Sequence, residues 1–181
     1  MSEKIPYSLV KKLCQQQGFV ACVAGPVPDL LESKALDKML DDGVGEMEFM
    51  LRNRDLLLKP TSMLPEAKSM VIAALPYQNE LLEEDQRIHR ARYAAGKDYH
   101  KMVRRKLAAV AKELVTEAGH AFPNRAFTDS APLMERKLAQ MAGLGWQGKN
   151  SLILNQSFGS FFFLGVLLTE ADIETWPGEE A

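Results

Sequence analysis

Apolar residues recur along the chain at spacings that predict alternating helices and strands. The clearest helix begins after Asp98, a favourable N-cap residue, and ends at Gly119. Its predicted buried face is spaced by four, three and four residues: Val103, Leu107, Val110 and Leu114. By contrast, the run Ser69–Leu75 is apolar without interruption after its first residue, which is typical of a strand buried on both faces.

Shorter patterns predict the other elements. The predicted helices are Ile5–Gly18, Asp29–Asp42, an irregular segment Gly45–Leu58, and Pro132–Met141. The predicted strands are Phe19–Ala24, Arg125–Thr128, Ser151–Leu154 and Ser160–Leu168. Helices that alternate with strands indicate an α+β protein with a mixed β-sheet flanked by helices. Because no segment is typical of a linker, we expect one domain over residues 1–181.

Composition narrows the class of protein. Hydrophobic residues make up 46% and charged residues 25% of the chain, as in ordinary soluble globular proteins. No apolar run approaches the roughly 20 residues that span a bilayer, and the polar N-terminus lacks the pattern of a signal peptide. We therefore expect a cytoplasmic protein with no membrane partner. Cys14 and Cys22 are expected to be reduced and buried, and two thiolates are too few for an iron-sulfur cluster.

Positive charge is concentrated in one segment of a chain whose net charge is -2. The segment Arg87–Lys106 holds eight basic residues and one acidic residue. Such a patch attracts the phosphates of nucleic acids by counterion release, and Tyr93 and Tyr99 within it could stack on bases. A solvated helix face has the same composition, so both interpretations stay open.

Asp129 stands where a predicted strand ends and a predicted helix begins. Ligands often gather at strand ends, and a carboxyl group held there and partly desolvated could act as a general acid. The alternative is that Asp129 or Ser130 only caps the helix that begins at Pro132.

A glycine-rich segment, 142–151, follows this helix. Its glycines permit close approach of the backbone to a ligand: Gly143, Gly145 and Gly148. Lys149 could meet a phosphate or an amide group of a ligand, and Asn150 could donate and accept hydrogen bonds. The spacing matches neither a phosphate-binding loop nor a dinucleotide fingerprint. The alternative is a glycine-rich turn between helix and strand.

Three segments of the sequence resemble one protein family. They are Arg92–Lys101 (RYAAGKDYHK), Thr128–Arg136 (TDSAPLMER), and Ala142–Ile153 (AGLGWQGKNSLI) with its continuation Gly159–Gly165 (GSFFFLG). Weaker matches at Gly45–Met50 and Leu64–Ser69 occur in the same order. Together these segments are similar to the N-terminal catalytic domain of epoxyqueuosine reductase.

This resemblance implies a function and a fold. The family acts on the anticodon loop of tRNA, where it reduces epoxyqueuosine to queuosine by removing the epoxide oxygen. It uses cobalamin, which receives electrons from [4Fe-4S] clusters in a following ferredoxin-like domain. The implied fold is an α+β sandwich similar to the flavin reductases and nitroreductases.

The resemblance also implies roles for individual residues. Asp129 matches the proton donor of the family. The implied cobalamin contacts are Ala91, Asp129, Ile153 and Leu164, with Tyr99, Lys149 and Ser160 nearby. The residues implied to face tRNA are Arg92, Lys101, Arg104, Arg105 and Arg136. No metal site is predicted, because neither His100 nor His120 has a partner at a ligand spacing.

Two departures from the family pattern modify these expectations. Leu57 stands where the family carries an arginine that contacts the cofactor, and Arg52 or Arg54 could compensate. The sequence stops about where the cluster domain is expected, so we expect an iron-sulfur electron donor on a partner or a missing domain, and no turnover by this chain alone.

Two alternatives to the reductase hypothesis remain. One is a carrier or processing protein of the same fold that binds FMN or a corrinoid. The other is a non-catalytic RNA-binding module that uses only the basic segment.

Overall fold

A four-stranded antiparallel sheet with the strand order β1-β2-β6-β3 forms the centre of this computed structural model, which describes residues 4–30, 38, 41, 52–77, 93, 98–129 and 131–178. Its strands are β1 (Ala21–Pro26), β2 (Ser69–Pro76), β3 (Asn124–Phe127) and β6 (Phe162–Thr169). A separate hairpin pairs β4 (Trp146–Gln147) with β5 (Ile153–Leu154). The described helices are α1 (Tyr7–Gln16), α2 (Arg54–Leu58), α3 (Tyr99–Ala118) and α4 (Glu135–Met141), with a 3-10 helix at Pro60–Met63.

The long helix α3 confirms the prediction made from its apolar spacing. The Asp98 carboxylate accepts the N–H of His100 at 3.1 Å and caps the first turn. Gly119 ends the helix in the left-handed conformation, with φ at 69°. The four residues predicted for the buried face are all fully buried: Val103, Leu107, Val110 and Leu114.

Strand β2 lies between β1 and β6 and is buried on both faces, as predicted, because elements pack on each side of the sheet. Its side chains alternate between two cores. One core lies against α1 and α3 and receives Val71, Ala73 and Leu75. The other lies against α4 and the β4–β5 hairpin and receives Met70, Ile72 and Ala74. The sheet therefore forms the middle layer of the part of the chain that the structure describes.

The α+β class is confirmed, but the prediction of a mixed sheet is wrong for the described strands, whose pairs are all antiparallel. The helix α3 connects β2 to β3, and these two strands run in the same direction, as a crossover requires. However, β6 lies between them and pairs with both. The two strands that the crossover joins are therefore parallel but are not hydrogen-bonded to each other.

Several boundaries differ from those predicted. Strand β1 begins at Ala21 rather than at Phe19, and α4 begins at Glu135 rather than at Pro132. The late start of α4 follows from a tight turn in which the Leu133 N–H donates to the Ala131 carbonyl at 2.7 Å. Only part of the helical segment predicted over Gly45–Leu58 is described. The helix found there, α2, ends before Pro60, as expected. The predicted helix 29–42 and the loop 78–96 fall largely outside the described residues.

Close approach of α3 to the sheet depends on the lack of a side chain at Gly165 in β6. A Cβ there would lie 2.6 Å from Val103 Cγ1 and 2.7 Å from Leu107 Cδ1. Gly165 pairs with Ala73, which in turn pairs with Cys22, so a row of small residues crosses the sheet beneath the helices.

Replacing Gly165 by alanine tests this packing. We expect Gly165→Ala to lower the free energy of unfolding by about 1–3 kcal/mol, because a well-packed helix must shift to make room. Gly25→Ala in β1 is the matched control, since its Cβ would meet Thr175 Cγ2 at an ordinary 3.4 Å. Urea denaturation measures both variants, and an equal loss of stability in the two would contradict the packing described here.

Candidate functional site

One end of the sheet brings together the start of α3, the segment after β3 and the start of β6. The Tyr99 ring stacks on Phe163, with centroids 4.1 Å apart and planes inclined by 3°. The Thr128 hydroxyl donates to the Leu164 carbonyl at 2.7 Å and extends the contact between β3 and β6 by one residue. Asp129 follows directly and therefore projects from the end of the sheet beside Tyr99.

Two hydrogen bonds hold Asp129 in place. The Tyr99 hydroxyl donates to Asp129 Oδ2 at 2.5 Å, and the Asp129 N–H donates to Glu135 Oε1 at 2.7 Å. The backbone of Asp129 is left-handed, with φ at 48°. A residue other than glycine adopts this conformation rarely, and such residues are often found at functional sites.

Asp129 does not cap the next helix, so that alternative is wrong for Asp129, while Ser130 lies outside the described residues. Helix α4 begins at Glu135, and Met134 at its N-cap position makes no side-chain capping bond. The expectation that the Asp129 carboxyl is desolvated is also wrong, because the residue is exposed. The buried carboxyl group belongs to Glu135, six residues later.

Glu135 is a site residue that the sequence interpretation missed. It is 9% exposed. Burial and, to a smaller extent, the nearby charge of Asp129 raise the pKa of its carboxyl, the Asp129 N–H and Arg136 act in the opposite direction, and the net result is a pKa of about 7. A signal was present, since Glu135 lies three and four residues before the fully buried Leu138 and Ala139 and so shares their helix face.

Tyr99 acts as a hydrogen-bond donor at this site. Burial raises the pKa of its hydroxyl, and the hydrogen bond and charge of Asp129 raise it further. The phenol therefore keeps its proton throughout the neutral range. Stacking on Phe163 on one side and on His100 on the other fixes the plane of the ring.

The predicted cofactor residues fall into two groups. Tyr99, Asp129 and Leu164 lie together at the end of the sheet, as the contacts above establish. Ile153 is buried in strand β5 of the β4–β5 hairpin, and Lys149 is exposed in the loop of that hairpin. Ser160, another predicted cofactor contact, is half-buried just before β6. Ala91 lies outside the described residues.

Arg136 links the two groups. Its guanidinium donates from Nη1 to the Ser151 carbonyl at 2.9 Å, which ties α4 to the loop that carries Lys149. The side chain remains exposed, so its other N–H groups can still bind a phosphate.

The glycines of segment 142–151 approach the chain's own atoms. A Cβ at Gly145 would lie 2.2 Å from the Leu154 carbonyl oxygen, and one at Gly143 would lie 2.6 Å from the Trp176 ring. At Gly148 a Cβ would meet Asn150 and Leu154, both at 2.8 Å. The alternative of a glycine-rich turn therefore describes this segment.

The basic face of α3 begins one turn from the site. Lys101, Arg104 and Arg105 are exposed, at positions that share one side of the helix. Lys106 differs, because its ammonium group donates to the Gln17 carbonyl at 2.5 Å, at the C-terminal end of α1. Arg92 lies outside the described residues, as does most of segment 87–97.

The opposite edge of the sheet, at β1, borders a cavity of about 220 Å³. Cys14 and Cys22 are among the residues that line it; both are free and buried, as predicted. In the described parts of the chain, no helix is long and apolar enough to cross a membrane. Nor do the described residues include a group of three His, Cys, Asp or Glu side chains that could hold a metal ion.

Comparison with known sequences agrees with the motifs. Residues 58–130 match the family described as "Epoxyqueuosine reductase QueG, DUF1730". The epoxyqueuosine reductase of Cyclobacterium marinum is 40% identical over 166 residues, which cover 90% of this chain and 53% of that protein. The enzyme of Francisella cf. novicida is 38% identical over 144 residues, or 73% of this chain and 39% of that protein. The chain thus spans about half or less of the length of these curated relatives.

Solved structures agree as well. The epoxyqueuosine reductase from Streptococcus thermophilus matches with a TM-score of 0.80 and 25% identity, over 97% of this chain and 48% of that one. An epoxyqueuosine reductase bound to an epoxyqueuosine-modified tRNA-Tyr stem loop matches with a TM-score of 0.74 and 25% identity, over 96% and 48%. The reductive dehalogenase NpRdhA, 16% identical over 96% of this chain and 21% of its own, shares the fold with a TM-score of 0.60.

The fold is that of a family of reductases, and an acidic residue is presented at the end of its sheet. Within that class, the chain is a relative of the epoxyqueuosine reductases, and the resemblance drawn from its motifs is confirmed.

The buried carboxyl of Glu135 predicts a dependence of stability on pH. Between about pH 4.5 and pH 7 the native state keeps a proton that the unfolded state has lost. The contribution of Glu135 to the free energy of unfolding therefore falls as the pH rises through this window, by at most about 3 kcal/mol. Glu135→Gln carries no charge, so its stability relative to the parent should rise over the same window.

Urea denaturation at pH 5 and pH 8 measures this effect. Glu117→Gln, on the exposed side of α3, is the matched control and should show no comparable change. A difference between Glu135→Gln and the parent that stays constant with pH would contradict the burial of a titrating carboxyl group.

Proposed function

We propose that this chain is the cobalamin-binding catalytic domain of an enzyme that reduces epoxyqueuosine to queuosine in tRNA. The observation that carries the proposal is Asp129, which is exposed at the sheet end yet held in a left-handed conformation by Tyr99 and Glu135. It lies in the segment that matches the proton donor of the family. The relatives support this choice of reaction, and one of them has been solved with a modified tRNA stem loop.

The end of the sheet fits a large, flat cofactor. Asp129 is exposed there, Leu164 and Ser160 are half-buried, and the Phe161 side chain is 54% exposed. Apolar and polar groups thus face an open surface rather than a closed cavity. We assign the cofactor contacts to Leu164, Ser160 and Tyr99 in this region, and to Ala91, Ile153 and Lys149 by family resemblance. A reductive dehalogenase described as B12-dependent shares the fold, with a TM-score of 0.51 and 13% identity.

Bound cobalamin would supply the two electrons of the reduction. The overall reaction removes the epoxide oxygen as water and consumes two electrons and two protons. Asp129 donates the proton to the departing oxygen. Because the Tyr99 hydroxyl occupies Oδ2, we assign the transferred proton to Oδ1. The exposure of Asp129 allows it to regain a proton from solvent, which also provides for the second proton.

The electron donor in this proposal lies outside residues 1–181. Two buried cysteines are too few to ligate a [4Fe-4S] cluster, so the clusters reside on a missing domain or on a partner. We also propose that residues 1–181 form a single domain of the flavin-reductase and nitroreductase type, and that the protein is cytoplasmic.

Titration with hydroxocobalamin and, in parallel, with FMN tests the cofactor assignment. We expect a change in the visible spectrum of the corrin on binding. Binding of FMN without any effect on the corrin spectrum would overturn the proposal and favour the flavin carrier.

The role of Asp129 is tested with a chemically reduced corrin and an epoxyqueuosine-modified anticodon stem loop. We expect Asp129→Asn to bind cobalamin normally but to lose about 10²–10⁴-fold in the rate of reduction, the usual contribution of a general acid. Asp172→Asn, which lies after β6 at the other end of the sheet, is the control. A rate for Asp129→Asn equal to that of Asp172→Asn would remove Asp129 from the proposed role.

The exposed basic face of α3 supports tRNA binding, either in this reaction or in a non-catalytic RNA-binding module. Lys101, Arg104 and Arg105 are exposed in the first two turns of α3, the helix that begins with Tyr99, so RNA held on this face would lie at the end of the sheet that carries Asp129. Arg136 and Arg92 are assigned to tRNA binding by family resemblance. Lys106, the last residue of the basic segment, is left out of this surface because its ammonium group donates to the Gln17 carbonyl at the end of α1.

Salt-dependent binding of a tRNA anticodon stem loop distinguishes these cations. Replacing both Arg104 and Arg105 by alanine should weaken binding and make the negative slope of log K against log salt shallower by roughly 1–2, or about 0.7–0.9 for each lost phosphate contact. Lys106→Met should instead cost about 1 kcal/mol of stability with no change in slope. An unchanged slope for the arginine variant would identify α3 as merely a solvated face.

A further inference from the structure

We propose that Glu135 is a positioning residue that holds Asp129 in its exposed, left-handed conformation by accepting its N–H. The catalytic meaning of this role rests on the proposed function, whereas the hold itself does not. Glu135 lies in the first turn of α4 and is nearly buried, so its carboxyl group is fixed by the packing of that helix. Glu135 contacts the backbone N–H of Asp129 from the protein interior, whereas Tyr99 contacts the Asp129 side chain.

The segment that carries Asp129 has few other restraints among the described contacts. Strand pairing between β3 and β6 ends at Phe127, and Thr128 is held by its hydroxyl. Beyond this point, the Asp129 N–H donates to the carboxyl group of Glu135, six residues later in the chain, and this hydrogen bond closes a loop. Because φ at Asp129 is positive, the chain must be restrained to keep a conformation that non-glycine residues disfavour.

The charges that face Glu135 make this hold sensitive to protonation. Asp129 and Tyr99 lie on the loop and α3 sides, and Arg136 lies next to Glu135 on α4. An ionised carboxylate accepts an N–H more strongly than a neutral carboxyl group does. The loop should therefore be held more firmly above neutral pH than below it.

A related structure supports the idea that such a loop can move. The epoxyqueuosine reductase from Bacillus subtilis, which matches with a TM-score of 0.71 and 25% identity over 97% of this chain and 48% of its own, has its catalytic aspartate loop swung out of the active site. In this chain, movement of the Asp129 loop would break the contact with Glu135. Glu135 thus determines the fraction of time that Asp129 spends in the conformation described here.

The amide proton of Asp129 in the ¹⁵N-labelled chain, free of cofactor and RNA, tests the proposal. In the parent, we expect its chemical shift to titrate with a midpoint near the Glu135 pKa of about 7. Glu135→Gln keeps an acceptor oxygen, so the amide should stay protected from hydrogen exchange while the titration disappears. Glu135→Ala should exchange at least about tenfold faster at this amide, as expected for the loss of a hydrogen bond to a charged group.

Glu117→Gln on α3 is the matched control and should match the parent in both measurements. The amide of the fully buried Leu107 reports global folding; if Glu135→Ala loses protection there too, the Glu135→Gln titration decides. A midpoint that survives in Glu135→Gln, or unchanged Asp129 exchange in a folded Glu135→Ala, would overturn the proposal. Because neither cobalamin nor RNA is present, such a failure is distinct from failure of the proposed reductase function.

Discussion

Strand β6 enters the sheet last along the chain but occupies an inner position, hydrogen-bonded to β2 on one side and to β3 on the other. This placement determines the geometry of the Asp129 region. Phe127 pairs with Val166, so continuing the antiparallel register by two residues brings Asp129 opposite Leu164. The same strand carries Phe163, against which the Tyr99 ring stacks. A shift of one residue in this pairing would turn the wrong face of β6 toward α3 and separate Tyr99 from Asp129.

The contact between α3 and β6 makes that register costly to change. Gly165 leaves room for Val103 and Leu107, so the helix lies close to the sheet at one position along the strand. Packing there fixes both the height of α3 and the location of its first turn. The Tyr99 hydroxyl consequently reaches Asp129 from the helix side, and the basic face of the next turn lies at the same end of the molecule. The core thus determines the position of groups that are themselves near the surface.

The elements that the sequence predicts best are those whose signals are local. The spacing along α3 and the apolar run of β2 each describe a single element and its burial. The order of strands could not be inferred in this way, because the pairing of β6 with two distant segments leaves no trace in local periodicity. Glu135 was missed for a related reason. Its charge suggests a surface position, while its spacing from Leu138 and Ala139 places it inside. The Asp129 N–H and Arg136, which favour the charged carboxyl group in that position, are evident only from the structure.

Asp129 and Glu135 show why one carboxyl group at this site is exposed and the other is buried. In the proposed reaction a large substrate has to reach the Asp129 carboxyl group, which therefore must lie at an open surface, yet an exposed side chain on a loop is poorly positioned by its own packing. A second carboxyl group, buried in α4, can restrain the backbone of the first without obstructing access to it. Burial also moves the titration of Glu135 toward neutral pH, so the restraint on Asp129 depends on pH near neutrality. Accessibility and positioning are in this way divided between two residues six positions apart.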